Sequence, residues 1–295
     1  MRKKISAFLV LFFGFCFATT LQAQDSPHPE LFVQEVSRAA AVAFQKRDGL
    51  VVWLDRNTGE RQLFGNPALL AEKFRPGSLM KLLTAEVAMQ RAASFQYRCS
   101  GFDRSTGKTR HCWTSRGHGE LDLAHALGVS CNLYFSALAV RLGFQALRHT
   151  LQNYGFAEAS SLPPSLSPSH LADLGIGDSP LFHVTPAEML QFWESYLQRL
   201  ARPEFQALRQ GLRRAVREGT AKRVGAVGLE ILGKTGTGDS ELAAYRTNGW
   251  FLGAYPTENP RCLLLVLMKQ AHGFDEAARL AEKIFRLAKS FAIVR

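Results

Sequence analysis

The sequence predicts a mixed α/β fold of the α+β type, with an antiparallel sheet formed by both ends of the chain and flanked by helices. Runs typical of strands occur at residues 50–54 and 61–64, around one turn, and at 249–255 and 262–269, around another. The long middle of the chain has helical patterns and contains neither an internal repeat nor a linker. We therefore expect one domain, with a mostly helical subdomain inserted between the two halves of the sheet.

The helices are predicted from apolar residues that recur at 3.6-residue spacing. A leading helix is predicted over residues 29–47 and a final helix over 275–293. The same spacing predicts further helices at residues 79–91, 121–142, 144–154, 186–200 and 203–218. Residues 160–169 are rich in Ser and Pro and are predicted to form a loop.

The composition is that of an ordinary globular protein. The chain has 295 residues, of which 46% are apolar and 21% are charged, which excludes a collagen, a coiled coil and a disordered chain. Its net charge is +11 at pH 7, a sign that suits an anionic cell envelope or a nucleic acid. Four of the arginines lie at helical spacing and are interpreted as a solvated surface: Arg209, Arg213, Arg214 and Arg217.

The amino terminus has the pattern of a secretory signal. Three cations at positions 2–4 precede an apolar run at 5–18, and small residues lead to Ala23. We expect cleavage after Ala23 and an exported protein of the periplasm or cell envelope, which argues against a nucleic-acid partner. The alternative is a short uncleaved anchor, but the run is shorter than the roughly 20 residues of a spanning helix. The expected segments are a signal peptide, a leading helix and one large domain: residues 1–23, 24–48 and 49–295.

Ser78 and Lys81 form a candidate nucleophile and base. They lie at the start of a predicted helix, where a spacing of three residues places both side chains on the same face. A lysine that is desolvated near another cation loses proton affinity, as a base requires. A second Ser-x-x-Lys pattern, Ser105 to Lys108, lies in a polar stretch that contains Gly and is interpreted as a chance match.

Two later motifs complete a recognisable set. Ser130-Cys131-Asn132 is the only Ser-x-Asn in the chain, and Lys234-Thr235-Gly236-Thr237 precedes the closing strands. The order Ser-x-x-Lys, Ser-x-Asn, Lys-Thr-Gly resembles that of penicillin-binding proteins and class A β-lactamases. Further segments resemble the transpeptidase domain of elongation-type class B penicillin-binding proteins: residues 51–55, 58–59, 75–78, 117–119, 184–186, 218–221 and 249–255.

This resemblance implies a β-lactamase/transpeptidase-like fold and an acyl-enzyme mechanism on D-Ala-D-Ala stem peptides of peptidoglycan. Ser78 would attack the penultimate D-Ala carbonyl, and Lys81 would accept its proton. Ser130 would pass a proton to the leaving amine, and Asn132 would hold Lys81 and the peptide. Lys234 would add positive potential. No cofactor is implied for catalysis.

The Lys-Thr-Gly segment is implied to bind substrate through Thr235, Gly236 and Thr237. The two threonines would bind the terminal carboxylate, and the backbone amides of Ser78 and Thr237 would form the oxyanion hole. A β-lactam imitates the D-Ala-D-Ala end and is therefore an expected ligand. A cell-envelope protein is a further candidate partner.

A second candidate site consists of Cys99, Cys112, His118 and Cys131. Thiolates and imidazole are zinc ligands, and four of them form a closed structural site. Exported cysteines also tend to pair, and a Cys99–Cys112 disulfide is the alternative. Some elongation-type relatives hold zinc beside the Ser-x-Asn turn, and the resemblance therefore favours a structural zinc. Cys262 lies in an apolar run and is expected to be buried core.

Two other functions stay open from the sequence. A serine β-lactamase would need a carboxylate that activates water, and Glu188 and Glu194 are interpreted as helix-surface residues instead. Only residues 24–48 precede the domain, whereas class B members usually carry a long amino-terminal pedestal, and this compactness favours the β-lactamase. The other alternative is a non-catalytic sensor of β-lactams or peptidoglycan that is acylated and stays so.

Overall fold

The computed structural model describes residues 28–91, 94–240 and 246–294. The predicted signal peptide, residues 1–23, lies outside this part. Within the described residues, every helix is too short or too polar to cross a membrane.

The helices and strands predicted from the sequence occur in the predicted order, together with further elements. The α-helices are α1 (Pro29–Ala43), α2 (Met80–Gln90), α3 (Leu123–Gly128), α4 (Asn132–Leu142), α5 (Phe144–Asn153), α6 (Pro168–Ile176), α7 (Pro186–Leu200), α8 (Gln206–Arg217), α9 (Lys222–Gly225) and α10 (Ala278–Ser290). The strands are β1 (Gly49–Asp55), β2 (Arg61–Gly65), β3 (Tyr97–Cys99), β4 (Phe102–Asp103), β5 (Arg110–His111), β6 (Gly119–Leu121), β7 (Leu232–Asp239), β8 (Thr247–Tyr255) and β9 (Cys262–Lys269).

Five strands form the main sheet in the order β2-β1-β9-β8-β7, and every neighbouring pair is antiparallel. The amino-terminal strand β1 pairs with the carboxy-terminal strand β9, so that Trp53 lies opposite Leu264. The prediction of an antiparallel sheet made from both chain ends is therefore confirmed. Strand β7 was not predicted, because its Gly- and Thr-rich sequence lacks the apolar run of the other central strands.

Helices cover both faces of this sheet. Alternate residues of β1 point to opposite faces, so that Val52 joins a core with α2, α4 and α7, whereas Val51 and Trp53 join a core with α1 and α10. The central strand β9 is buried on both faces, which explains its continuous apolar sequence. Cys262 belongs to this buried strand, as expected.

The predicted helix over residues 121–142 is divided in two. Helix α3 ends before Ser130, whose φ of +54° is in the left-handed region, and α4 begins after Cys131, whose Sγ accepts the amide of Tyr134 at 3.4 Å. The periodic pattern continues through the break because both helices bury apolar residues. Helix α6 was not predicted. It begins at the end of the predicted loop and is capped by the Ser167 side chain.

The arginines of α8 are paired rather than free. Arg213 contacts Glu258 at 2.8 Å, Arg214 contacts Glu218 at 2.6 Å, and Arg217 contacts Glu230 at 2.8 Å. Arg213, Arg214 and Arg217 also line a surface cavity of about 340 Å³. Acidic side chains therefore neutralise this row, in which Arg217 is exposed and Arg209, Arg213 and Arg214 are partly buried.

Candidate active site

Ser78 lies in the short 3-10 turn Gly77–Leu79 that leads directly into α2. The backbone at Gly77 has a φ of +52°, and a Cβ there would lie 2.2 Å from the carbonyl oxygen of Thr237. This position therefore requires glycine. The close approach places the turn that carries Ser78 directly against β7.

Lys81 lies one helical turn after Ser78 and is completely buried. Its Nζ donates to Ser78 Oγ at 2.9 Å, to the Ser130 carbonyl oxygen at 2.8 Å and to Asn132 Oδ1 at 2.5 Å. Burial removes hydration from the ammonium group and lowers the pKa of Lys81 to about 8. The amine is thus in hydrogen-bond contact with the candidate nucleophile and has a lowered proton affinity.

The Ser130 hydroxyl lies between two buried lysines. Lys234 Nζ donates to Ser130 Oγ at 2.8 Å, and Lys81 Nζ lies 3.2 Å from the same oxygen. Burial, together with the nearby charge of Lys81, holds the pKa of Lys234 well below its usual range. One connected chain of hydrogen bonds, along which a proton can move, therefore links the side chains of Ser78, Lys81, Ser130 and Lys234.

Strand β7 carries the Lys-Thr-Gly segment along one side of this chain of hydrogen bonds. A Cβ at Gly236 would lie 2.9 Å from the carbonyl oxygen of Pro76. Thr237 Oγ1 accepts the amide of Gly273 at 3.0 Å, and Thr235 Oγ1 donates to Thr220 Oγ1 at 2.7 Å. Thr220 was not assigned a role from the sequence, although it lies in one of the segments on which the resemblance rests.

The four candidate metal ligands converge beside the Ser130 turn. Their ligand atoms all lie within 4.8 Å of one another. His118 Nδ1 lies 3.6 Å from Cys99 Sγ and 3.5 Å from Cys112 Sγ, and the sulfurs of Cys112 and Cys131 are 3.8 Å apart. All four residues are buried or partly buried. Three thiols and one imidazole in a cluster of this size fit a tetrahedral zinc ion.

The thiols in this cluster are free, and those of Cys112 and Cys131 are in contact. The hydrogen bond from Cys131 lowers the pKa of Cys112 to about 3, whereas the same contact raises the pKa of Cys131. When a metal cation binds a thiolate and a neutral thiol that are in contact, it can displace the proton of the neutral thiol. Cys131 is adjacent in sequence to Ser130 and Asn132, so the cluster and the hydrogen-bonded side chains share one turn.

A family model described as "Penicillin binding protein transpeptidase domain" matches residues 40–286, most of the chain. The chain belongs to this transpeptidase domain family. No curated protein matches the chain.

Solved structures show the same fold as this transpeptidase domain. Pseudomonas aeruginosa PBP2 in complex with WCK 5153 has 20% identity and a TM-score of 0.72, and the match covers 85% of this chain and 76% of that chain. The transpeptidase domain of Burkholderia pseudomallei penicillin-binding protein 3 has 17% identity and a TM-score of 0.74, and the match covers 90% of this chain and 96% of that chain. PBP2 of Helicobacter pylori, in a complex with MreC, has 17% identity and a TM-score of 0.73, and the match covers 88% of this chain and 63% of that chain.

The second Ser-x-x-Lys pattern lies outside the site of the transpeptidase domain. Ser105 Oγ contacts Asp103 at 3.0 Å, and Lys108 Nζ contacts Asp173 at 2.9 Å. Ser105 and Lys108 are thus bonded to separate carboxylates, which agrees with a chance match.

The two glutamates considered as water-activating groups are also bonded elsewhere in the transpeptidase domain. Glu188 caps α7 through the amide of Thr185 at 2.7 Å, and Glu194 lies 3.5 Å from Arg61. Asp178, to which the sequence assigned no role, is the carboxylate whose charge acts on Lys81. No motif contains Asp178, and only the folding of α6 against the Ser78 turn brings it to the site.

Proposed function

We propose that the chain is a penicillin-binding D,D-transpeptidase or D,D-carboxypeptidase that acts on D-Ala-D-Ala stem peptides through an acyl-enzyme at Ser78. The observation that supports this most strongly is the contact of Lys81 Nζ with Ser78 Oγ at 2.9 Å in a buried environment. A neutral amine at this distance can accept the hydroxyl proton as Ser78 attacks.

The other contacts support an order of proton transfers. The Ser130 hydroxyl contacts both lysines, so it can deliver a proton to the leaving D-Ala amine and be reprotonated from Lys81. Asn132 orients Lys81, and Lys234 supplies a positive field near the substrate carboxylate. Thr235 and Thr237 bind that carboxylate, and the amides of Ser78 and Thr237 stabilise the tetrahedral oxyanion.

Intact mass spectrometry after exposure to benzylpenicillin tests this proposal. The protein is expected to gain the mass of one penicillin and to lose it slowly, over many minutes or longer, because the family resemblance is to transpeptidases. A protein that turns over nitrocefin rapidly would be a serine β-lactamase, and permanent acylation with no reaction on a D-Ala-D-Ala peptide would identify a sensor. Failure to acylate would exclude all three functions.

We also propose that Cys99, Cys112, His118 and Cys131 hold one structural zinc ion. All four ligands would be protein groups, so the ion would be closed to substrate and would act only by holding the turn at Cys131. A fixed turn would keep Ser130 and Asn132 in place beside Lys81. The geometry of the cluster and its sulfur-rich composition support this assignment.

Metal analysis of the mature protein, purified without chelator, is expected to find about one zinc ion per chain. The Cys112→Ser variant should lose the metal, and its acylation should be slower because the Ser130 turn is no longer fixed. The Cys262→Ala variant should keep the metal, since Cys262 lies outside the cluster. Acid should release the ion by protonating the thiolates. A metal-free, fully active protein with a Cys99–Cys112 disulfide would contradict the zinc assignment.

The same function implies export. We propose that residues 1–23 direct the chain to the periplasm or cell envelope, where peptidoglycan is accessible. A cell-envelope protein partner is supported by the complex of the Helicobacter pylori relative with MreC. Fractionation of cells that produce the full chain, with amino-terminal sequencing of the product, tests both the location and cleavage after Ala23.

A further inference from the structure

We propose that Asp178 is the general base that activates water to hydrolyse the Ser78 acyl-enzyme. This inference rests on the function proposed above and adds to it a hydrolytic route, which produces D,D-carboxypeptidase activity and slow release of β-lactams. Asp178 follows Gly177, the residue that ends α6 in the left-handed conformation with a φ of +81°.

The backbone places Asp178 beside the nucleophile. A Cβ at Gly177 would lie 2.0 Å from the carbonyl oxygen of Gly77, the residue that immediately precedes Ser78. The absence of a side chain at both glycines allows the end of α6 to touch the Ser78 turn. Arg75 Nη1 lies 3.5 Å from the Asp178 carbonyl oxygen and 3.6 Å from Asp239 Oδ2, so Arg75 bridges the end of α6 and the end of β7.

The Asp178 carboxylate is suited to a proton transfer because no described residue bonds to it. Within residues 28–91, 94–240 and 246–294, its carboxylate oxygens form no hydrogen bond or ion pair, and the residue is exposed to solvent. By contrast, the Asp173 carboxylate is bonded to Arg110 and Lys108. A carboxylate that keeps access to water and lies beside the nucleophile can accept a proton from that water.

Four charged groups act on Asp178. Lys81 and Arg75 favour the ionised carboxylate, whereas Asp239 and Asp173 oppose it. Although the residue keeps contact with solvent, the surrounding protein reduces the hydration of its carboxyl group and raises its pKa to about 6. The carboxylate form therefore prevails at pH 7, and its proton affinity is greater than that of an ordinary aspartate.

The proposed hydrolysis moves one proton of the attacking water through Asp178. The water oxygen forms a bond to the acyl carbonyl carbon, and one water proton moves to the Asp178 carboxylate. The proton taken up by Asp178 moves to the Lys81 amine, which is neutral in the acyl-enzyme. The bond between the acyl carbon and Ser78 Oγ then breaks, and Lys81 gives this proton to the oxygen and is neutral again. One water molecule is consumed, and the acyl group leaves as a carboxylic acid.

The test measures acylation and release separately on the mature protein, with benzylpenicillin as the probe and intact mass as the readout. Asp178→Asn should slow release by about 100-fold, the usual contribution of a general base, and should slow acylation by a much smaller factor. The wild-type release rate should rise as the pH increases through about 6, where Asp178 ionises, and this rise should be absent in the variant.

Asp239→Asn is the matched control. It removes a carboxylate that lies at the end of β7 and contacts Arg75, the arginine that also contacts the Asp178 carbonyl oxygen. Its release rate should stay within about threefold of the wild-type rate, outside the range of general-base catalysis. If Asp178→Asn releases penicillin as fast as the wild type, or if its acylation slows as much as its release, Asp178 is not the base. A wild-type protein that is never acylated would overturn the proposed function together with this step.

Discussion

A Ser78→Ala variant is expected to gain no mass when it is incubated with benzylpenicillin under conditions in which the wild-type protein is fully acylated. The variant lacks the hydroxyl oxygen that Lys81 contacts at 2.9 Å, so no group at this position can form the ester. The fold should be retained, because Ser78 is only partly buried and its side chain does not cap the turn. Intact mass spectrometry and a thermal unfolding curve measure both expectations.

Ser105→Ala is the control for this experiment. It removes the serine of the second Ser-x-x-Lys pattern, whose hydroxyl contacts Asp103 rather than a lysine. Its adduct should form at the wild-type rate, and peptide mapping should locate the penicillin on Ser78. An adduct that persists in Ser78→Ala, or that maps to Ser105, would contradict the proposed nucleophile.

Lys81→Met is expected to slow acylation by a factor of about 10² to 10⁴, the range of general-base catalysis. Methionine has a similar length and suits the buried position, but it cannot accept a proton. Because burial lowers the pKa of Lys81 to about 8, the neutral amine becomes the main form only above that pH. The wild-type acylation rate should therefore rise with pH through about 8 and then reach a plateau.

The pH profile distinguishes the two buried lysines. If Lys81 is the base, the residual acylation in Lys81→Met should lose the rise near pH 8, although Lys234 is still present. Lys108→Met is the control, since Lys108 contacts Asp173 instead of Ser78, and it should keep both the wild-type rate and the profile. Acylation of Lys81→Met at nearly the wild-type rate would assign the base to another group.

Several features could be predicted from the sequence because they depend on neighbouring residues. Apolar periodicity identified the outer helices and four of the five strands of the main sheet. A helical spacing of three placed Ser78 and Lys81 on one face, and the structure has them in contact. The same local reasoning could not find the strand β7, since its Gly236 and Gly238 are required by close contacts with Pro76 and Arg75, far away in the sequence.

The break at Ser130 illustrates a second limit. Apolar residues continue through 121–142 on both sides of the break, so the periodicity predicts one helix. The chain instead adopts a left-handed conformation at Ser130, and Ser130 Oγ lies in contact with Lys81 and Lys234. A strained residue of this kind is stabilised by its tertiary contacts, and these are not encoded in local propensity.

The sequence by itself determined the fold class, the identity of the motifs and the four residue types of the candidate metal site. Only the tertiary structure decided that those ligands meet beside Ser130, that the two buried lysines share its hydroxyl, and that Asp178 lies next to the Ser78 turn. The physical reason is that periodicity fixes which face of a helix or strand a residue occupies, over a few residues only. Distances between groups that are tens to hundreds of residues apart depend on how the elements pack, and packing is a property of the whole chain.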